Sequence, residues 1–406
     1  MLKKLVYNTL KHRHPWRDIG FTELSELYIS CGLRSLATGL LLVFVPFFLF
    51  QNGYGYPAIL AMFGCLFGTR LVADFGAAYM VARFGSKHTM IASCMTQIVS
   101  ASLFLTVPTY HWPVWLLGAS MGIAYSFYFL AYHVQFSKIK HNLHVGKELS
   151  YMQIFERLGY VIGPLIGGLT GSFLGSRYIF GFACIVLLAS LWPLFRTSEP
   201  VKTHQKLYFR KLPIAKLKRD FISYAALGIE NTVCINLWPF FVALFVLSGT
   251  VYAQLGILAS LSVLVSIGAA GMIGRFVDNK NARRLLRWAL IVNSLLYVVR
   301  PFIGSAPGVL VLNSANEITT TAYRMPYQKG MYGAADDLPG LRIVYIASME
   351  SIGNVFKATL WFMLAIMAMV IAFKAVLIVS FVLAGIASLV ALNERFVALN
   401  HGAGHV

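Results

Sequence analysis

Charge is what this sequence has least of. Only 12% of its 406 residues are Asp, Glu, Lys or Arg, about half the ~25% of an ordinary soluble chain. Acidic residues are scarcer still, 15 against 34 basic ones. So little charge on so apolar a chain excludes an intrinsically disordered polymer and a soluble two-domain enzyme. Cysteine is sparse as well. Cys31, Cys65, Cys94, Cys184 and Cys234 all lie in apolar stretches, and no two have zinc-type spacing. That excludes a disulfide-rich secreted module and leaves five buried thiols. The Gly-x-Ser-x-Gly elbow, the Gly-x4-Gly-Lys-Ser/Thr phosphate loop and His-Glu-x-x-His are absent. No enzymatic activity, cofactor or metal is therefore expected. Residues 1–25 are basic and mixed, without the short apolar core of a cleavable leader, so none is expected.

What is present is hydrophobic. Apolar and aromatic residues make up 58% of the chain. That is about 235 residues, and twelve membrane helices of ~20 residues need ~240. The apolar runs predict spans 1 (26–51), 2 (56–82), 3 (88–108), 4 (112–136), 5 (150–174), 6 (177–196), 7 (220–247), 8 (251–275), 9 (283–304), 10 (307–330), 11 (341–369) and 12 (374–394). Spans 10 and 11 are the most polar, and hydropathy alone is weakest there.

The net charge of +19 suits either a nucleic-acid binder or a membrane protein, and its distribution separates them. With twelve spans, about 26 of the 34 Lys and Arg fall on one side of the membrane. Arg177 and Lys374 fall on the other, and the rest lie within spans. The positive-inside rule places the basic side, with both termini, in the cytoplasm of a bacterial-type inner membrane. No nucleic-acid partner is expected. The longest link carries Lys202, Lys206, Arg210, Lys211, Lys216, Lys218 and Arg219. The expected organisation is a cytoplasmic segment (1–25), a six-helix bundle (26–196), a basic linker (197–219), a second bundle (220–395) and a tail (396–406).

The two halves repeat at an offset of about 195 residues. Tyr28, Gly32 and Arg34 match Tyr224, Gly228 and Glu230. Ala131-Tyr132-His133 matches Ala322-Tyr323-Arg324, and Glu156-Arg157-Leu158-Gly159 matches Glu350-Ser351-Ile352-Gly353. Six spans per half is even, so the halves point the same way about an axis along the membrane normal.

Two motifs resemble those of the major facilitator superfamily. The link between spans 2 and 3 reads Asp74, Ala78, Met80, Ala82, Arg83, Gly85, Ser86, Lys87, against a family pattern of Asp-x-x-x-Gly-x-Leu-x-Asp-Arg-x-Gly-Arg-Lys. It keeps the Arg, the turn glycine and the final Lys, and it replaces the second acid with Ala82. The second-half copy, Gly274-Arg275-Phe276-Val277-Asp278, keeps its acid. In span 5, Gly159, Gly163, Pro164, Gly167 and Gly168 resemble the glycine-proline pattern of the proton-linked drug antiporters of that superfamily. Small residues four apart let helices approach closely, and Pro164 frees a carbonyl. The resemblance implies an all-α membrane fold of two pseudo-symmetric six-helix bundles, a central cavity lined by spans 1, 4, 7 and 10, and gating by Arg83, Gly85, Lys87, Gly274, Arg275, Asp278 and the span-5 motif. It also implies a monomer that moves a small molecule with protons.

Ionisable groups inside a bilayer mark pathways or pairs. Span 10 carries Asn313, Asn316, Glu317, Thr320 and Arg324 as one polar stripe, and span 11 carries Glu350, Asn354 and Lys357 on one face. Arg70 and Asp74, at i and i+4, are placed to pair within span 2. Glu156 and Arg157 read as a structural pair, whereas Glu317 has no cation at i±4. Arg34 and Glu230, at equivalent depths in spans 1 and 7, are expected to meet across the axis. Tyr125, Tyr128 and Trp238 supply aromatic surface on the expected cavity helices. These features predict a secondary transporter exporting a small organic molecule in exchange for protons taken up by Glu230 or Glu317. The alternatives are an importer or facilitator of a polar or anionic metabolite, bound by Arg34, Arg70 or Arg324, and a transporter-shaped sensor or lipid-handling protein.

Overall fold

The computed structural model describes residues 23–139, 145–195, 203–278 and 282–399. The expected N-terminal segment up to residue 22 and the tail from residue 400 lie outside these. The described residues are helical, with no strand among them. The long helices are α1 (Glu23–Leu42, prolonged by a short helix Val45–Gln51), α2 (Tyr56–Phe84), α3 (Ser86–Leu105), α4 (Val114–Ile139), α5 (Val145–Phe173) and α6 (Tyr178–Leu191). After the linker come α7 (Ile214–Thr232), α8 (Val251–Asp278), α9 (Ala282–Val299), α10 (Ala306–Asp336), α11 (Arg342–Val370) and α12 (Phe373–Val390).

Ten of these helices are long and apolar enough to cross a membrane. The two that are not are α5 and α10. Hydropathy therefore fails at α10, as expected, but passes α11 and fails instead at α5. The cause is composition: glycines, Glu156 and Arg157 dilute α5, although much of that helix is a packing surface. Exposed Leu, Ile, Val, Phe and Met cover the outside, among them Val72, Leu188, Leu295 and Met369, as a lipid-facing surface requires.

Helix contacts follow one scheme twice. In the first set α1 packs on α5 and α6, α2 and α3 pack on α4, and α3 packs on α6. In the second set α7 packs on α11 and α12, α8 and α9 pack on α10, and α9 packs on α12. The two sets join through α5 against α8 and α2 against α11.

Glycine makes the closest of these contacts. A Cβ on Gly159 would lie 2.4 Å from the Gly32 carbonyl oxygen, and one on Gly163 would lie 2.5 Å from that of Leu36. One face of α5 is thus pressed backbone to backbone on α1. The neighbouring face meets the other set: a Cβ on Gly168 would lie 2.6 Å from the Tyr252 oxygen, and one on Gly256 would lie 2.3 Å from the Pro164 oxygen. Small residues permit this approach, and dispersion over the close backbones holds it.

Helix α7 continues past Thr232 through a π-helical turn, Val233–Leu237, into Trp238–Phe245. Pro239, lacking an N–H, cannot bond to the carbonyl four residues back, and the bulge absorbs that loss. The widened turn puts Cys234, Ile235 and Trp238 on an internal cavity.

Candidate functional site: a charged cavity between the two helix sets

Contacts between the sets occur at both ends of the molecule. Near the 52–55 and 246–250 loops, Tyr56 stacks on Phe373 with ring centroids 4.0 Å apart. The Tyr252 hydroxyl donates to Gln51 Oε1 at 2.8 Å. At the opposite end His133 Nδ1 and the Tyr332 hydroxyl are 2.7 Å apart, and Ser150 donates to the Ala270 carbonyl at 3.3 Å. Two adjoining cavities lie between. The larger, about 200 Å³, is walled by α1, α5, α7, α8 and α10. The other, about 150 Å³, is walled by α2, α4, α7, α10 and α11. Asn231, Thr320 and Arg324 border both.

The ion pairs around these cavities run from one set to the other. Arg70 donates to Glu350 Oε2 at 2.9 Å. One helical turn along, Asn354 Nδ2 donates to Asp74 Oδ2 at 2.7 Å. Arg70 and Asp74 therefore do not pair within α2 as expected. Both point at α11: each is buried, and a polar group on the facing helix supplies a partner. Glu350 also accepts from the Tyr224 hydroxyl and lies 3.6 Å from His133 Nε2.

Glu317 is likewise not unpaired. Arg157, from α5, donates to its Oε2 at 2.5 Å, to Thr321 Oγ1 at 2.6 Å, and to Ser266 of α8. Arg157 is thus a cross-set tether rather than a partner of Glu156. Sequence spacing misses such a pair, since the two residues stand 160 apart on helices whose contact only the fold reveals. On α10, Asn313 accepts from the Trp238 indole at 2.6 Å, and Asn316 accepts from Arg300 at 2.8 Å.

The expected Arg34–Glu230 pair does not form. Arg34 donates to Cys94 Sγ at 3.3 Å and lies 3.9 Å over the Tyr128 ring, inside the first set. Glu230 accepts from Asn293 at 2.9 Å, from Tyr297 at 2.8 Å and from Tyr323 at 2.6 Å, inside the second. The repeat gives the two residues equivalent surroundings, α3 and α4 for one, α9 and α10 for the other. That equivalence turns each into its own bundle rather than toward its counterpart. Tyr125 and Tyr128 follow the same rule. Tyr125 borders a void of about 10 Å³ inside the first set, and Tyr128 donates to Cys31 Sγ at 3.2 Å. The cavity face of α4 is instead Phe129 and His133.

Of the remaining expected residues, Arg70, Glu230, Asn313, Asn316, Glu317, Arg324, Glu350 and Lys357 border one cavity or the other. The α2–α3 turn is made by Gly85, whose φ of +96° favours glycine. Lys87 Nζ lies 2.9 Å from Glu26 Oε2, and Arg83 lies 2.9 Å from His204 of the linker. Gln205 N–H donates to the Ala82 carbonyl at 2.9 Å, so the backbone of position 82 is used although its side chain accepts nothing. The surroundings of Gly274 and the side chains of Arg275 and Asp278 lie outside the described residues. Within the α5 motif, Gly168 and the Pro164 carbonyl meet the other set, while Gly159, Gly163, Gly167 and the Pro164 ring lie against the first set. The motif is therefore half internal packing and half inter-set seam.

Residues 27–322 match the family model described as Major Facilitator Superfamily. The chain belongs to that superfamily and is a multi-pass membrane transporter. It is 24% identical over 353 residues to the multidrug resistance protein MdtG of Citrobacter koseri, across 82% of this chain and 85% of that one. The same protein from Salmonella arizonae is 24% identical over 354 residues, across 82% and 83%. Among solved structures, the human organic anion transporter MFSD10 (TETRAN) superposes with a TM-score of 0.67 at 14% identity, across 91% of this chain and 98% of that one. The transporter FucP in the outward conformation superposes with a TM-score of 0.65 at 12% identity, across 92% and 98%.

Proposed function

We propose that the chain exports a small organic molecule across a bacterial inner membrane in exchange for protons. Twelve spans rock as two six-helix bodies (26–196 and 220–395), with both termini cytoplasmic. The observation that carries this reading is the cavity itself: it lies between the helix sets, and the ion pairs around it join one set to the other. A ligand or proton arriving there acts directly on the contacts that hold the bodies together. The likeness to multidrug resistance proteins supports export, and the basic linker and loops support the orientation.

Glu317 is the acid suited to coupling. Its side chain is 29% exposed within the cavity and holds Arg157. Glu230 is 1% exposed and tied to three neutral donors inside its own bundle. A proton on Glu317 removes the charge that Arg157 faces and loosens the hold of α5 on α8 and α10. The test uses proteoliposomes with an imposed pH gradient and three shape-matched probes: 2-naphthoate, 2-naphthamide and 2-naphthylmethylammonium. Wild-type protein is expected to drive at least one probe against its own gradient. Glu317→Gln is expected to lose that accumulation while keeping exchange at equal pH. Accumulation by Glu317→Gln equal to wild type removes Glu317 from the coupling role, and no proton-driven movement of any probe by wild type counts against the reading as a whole.

A further inference from the structure

A charge buried in a membrane protein is costly unless something neutralises it. Around the two cavities two ion pairs form, Arg70 with Glu350 and Arg157 with Glu317. Two of the lining cations are in neither pair. Lys357, 7% exposed, makes no hydrogen bond or ion pair among the described residues; its stem lies across Gly228, and its Nζ sits 5.0 Å from the centre of the Phe67 ring. Arg324 makes none either and borders both cavities. Of the nearby acids, Asp74 is bonded to Asn354, and Glu350 is shared among Arg70, Tyr224 and His133. Glu156 shares the larger cavity with Arg324 and acts on it electrostatically, without a hydrogen bond or ion pair between them, and it does not border the smaller cavity. The smaller cavity thus presents two cations that no carboxylate contacts directly, Lys357 near Glu350 and Asp74 and Arg324 near Glu156, while the larger one, which Arg324 joins to it, offers an apolar wall including Val43, Ile235, Trp238 and Val263.

We infer that the transported molecule is an amphiphilic organic anion. Its carboxylate, or an equivalent oxyanion, lies between Arg324 and Lys357, and its apolar body lies against Trp238 and Ile235. A guanidinium and an ammonium offer fork-like and point donors to one oxyanion, and charge-assisted bonds are the strong ones in a site poor in water. Arg34 and Arg70 take no part: the first is enclosed in its own bundle and the second is held by Glu350. This inference rests on the cavity being the transport site.

The test is equilibrium binding of the same three probes to the purified full chain in nanodiscs. 2-Naphthoate is expected to bind at least tenfold more tightly than 2-naphthamide, and 2-naphthylmethylammonium more weakly than either. Lys357→Gln and Arg324→Gln should each cost about tenfold for the acid and leave the amide unchanged. Lys357→Arg and Arg324→Lys should retain most of the preference, which keeps the question answerable if a Gln variant fails to fold. Equal binding of acid and amide by wild type overturns the inference, as does an unchanged preference in folded Gln variants. The outcomes also separate this inference from the transport reading. Acid-selective binding without movement in proteoliposomes upholds the site and rejects transport of the probe. Proton-driven movement of the amide or the amine at the expense of the acid upholds transport and rejects the anion.

Discussion

Gly256 and Gly163 offer the same substitution with opposite consequences. A Cβ at Gly256 stands 2.3 Å from the Pro164 oxygen and 3.1 Å from its carbon, where ordinary contacts begin at 3.4 Å. Both neighbours are backbone, so no side chain can swing aside. Gly256→Ala therefore requires the α5–α8 seam to part by about 1 Å near the 246–250 loop. Overpacking of this kind costs roughly 1–3 kcal/mol. Here the cost falls only on states in which that end is closed. By the usual tenfold per ~1.4 kcal/mol, it shifts the population toward opening at that end by roughly 5- to 150-fold. Gly163→Ala puts its Cβ 2.5 Å from the Leu36 oxygen, inside one set, where the strain is present in every state. It should lower the melting temperature and leave the population alone. Spin labels at Thr109, exposed in the short helix Val107–Tyr110, and at Gly304, in an exposed loop of the other set at that end, report the difference as a distance distribution. A longer distance in Gly256→Ala but not in Gly163→Ala is the expected result. Unchanged distributions and wild-type transport in Gly256→Ala would refute the assignment of that seam to the moving interface.

Three further outcomes follow from the cross-set bonds. Arg70→Gln should leave Glu350 short of its cation and lower thermal stability, while the exchange Arg70→Glu with Glu350→Arg should recover part of it; an exchange no better than the single variants would make the pair incidental. His133→Leu leaves the Tyr332 hydroxyl without its partner at 2.7 Å and should cost about 1–3 kcal/mol in a reversible unfolding measurement; no loss would mean water replaces it fully. Arg34 and Glu230 share no partner, so a double-mutant cycle between Arg34→Leu and Glu230→Gln should be additive within ~0.5 kcal/mol; a larger coupling would show that they meet in another state.

Ten membrane-spanning candidates are legible in the sequence because hydrophobicity over ~20 residues is a local property, and so is the repeat, which aligns on short strings such as Glu156-Arg157 with Glu350-Ser351. The inter-helix partners are not. Arg70 and Asp74 look like an i, i+4 pair, yet each bonds a residue 280 positions away. Local spacing gives neighbours on one helix but says nothing of the facing helix. Glu317 looked isolated for the same reason, its cation being on α5. Arg34 and Glu230 stay apart for a different reason: equivalence under the repeat fixes depth and surroundings, not that the two face each other. The α5 motif was recognisable as close packing, but assigning each glycine to α1 or α8 needed the helix rotation that only coordinates supply. Hydropathy missed α5 because packing glycines and the tether Arg157 replace the aliphatic residues that it counts.

The most direct test of a central cavity reached in turn from two sides is the accessibility of Asn231, which borders both cavities. The measurement uses Asn231→Cys in a variant whose five native cysteines are replaced, reconstituted in one orientation and treated with a membrane-impermeant maleimide from either face. Alternating access predicts labelling from both faces, with neither face open to a reagent too large for the cavity. Labelling from one face only, or from neither, under conditions where wild type transports would contradict it.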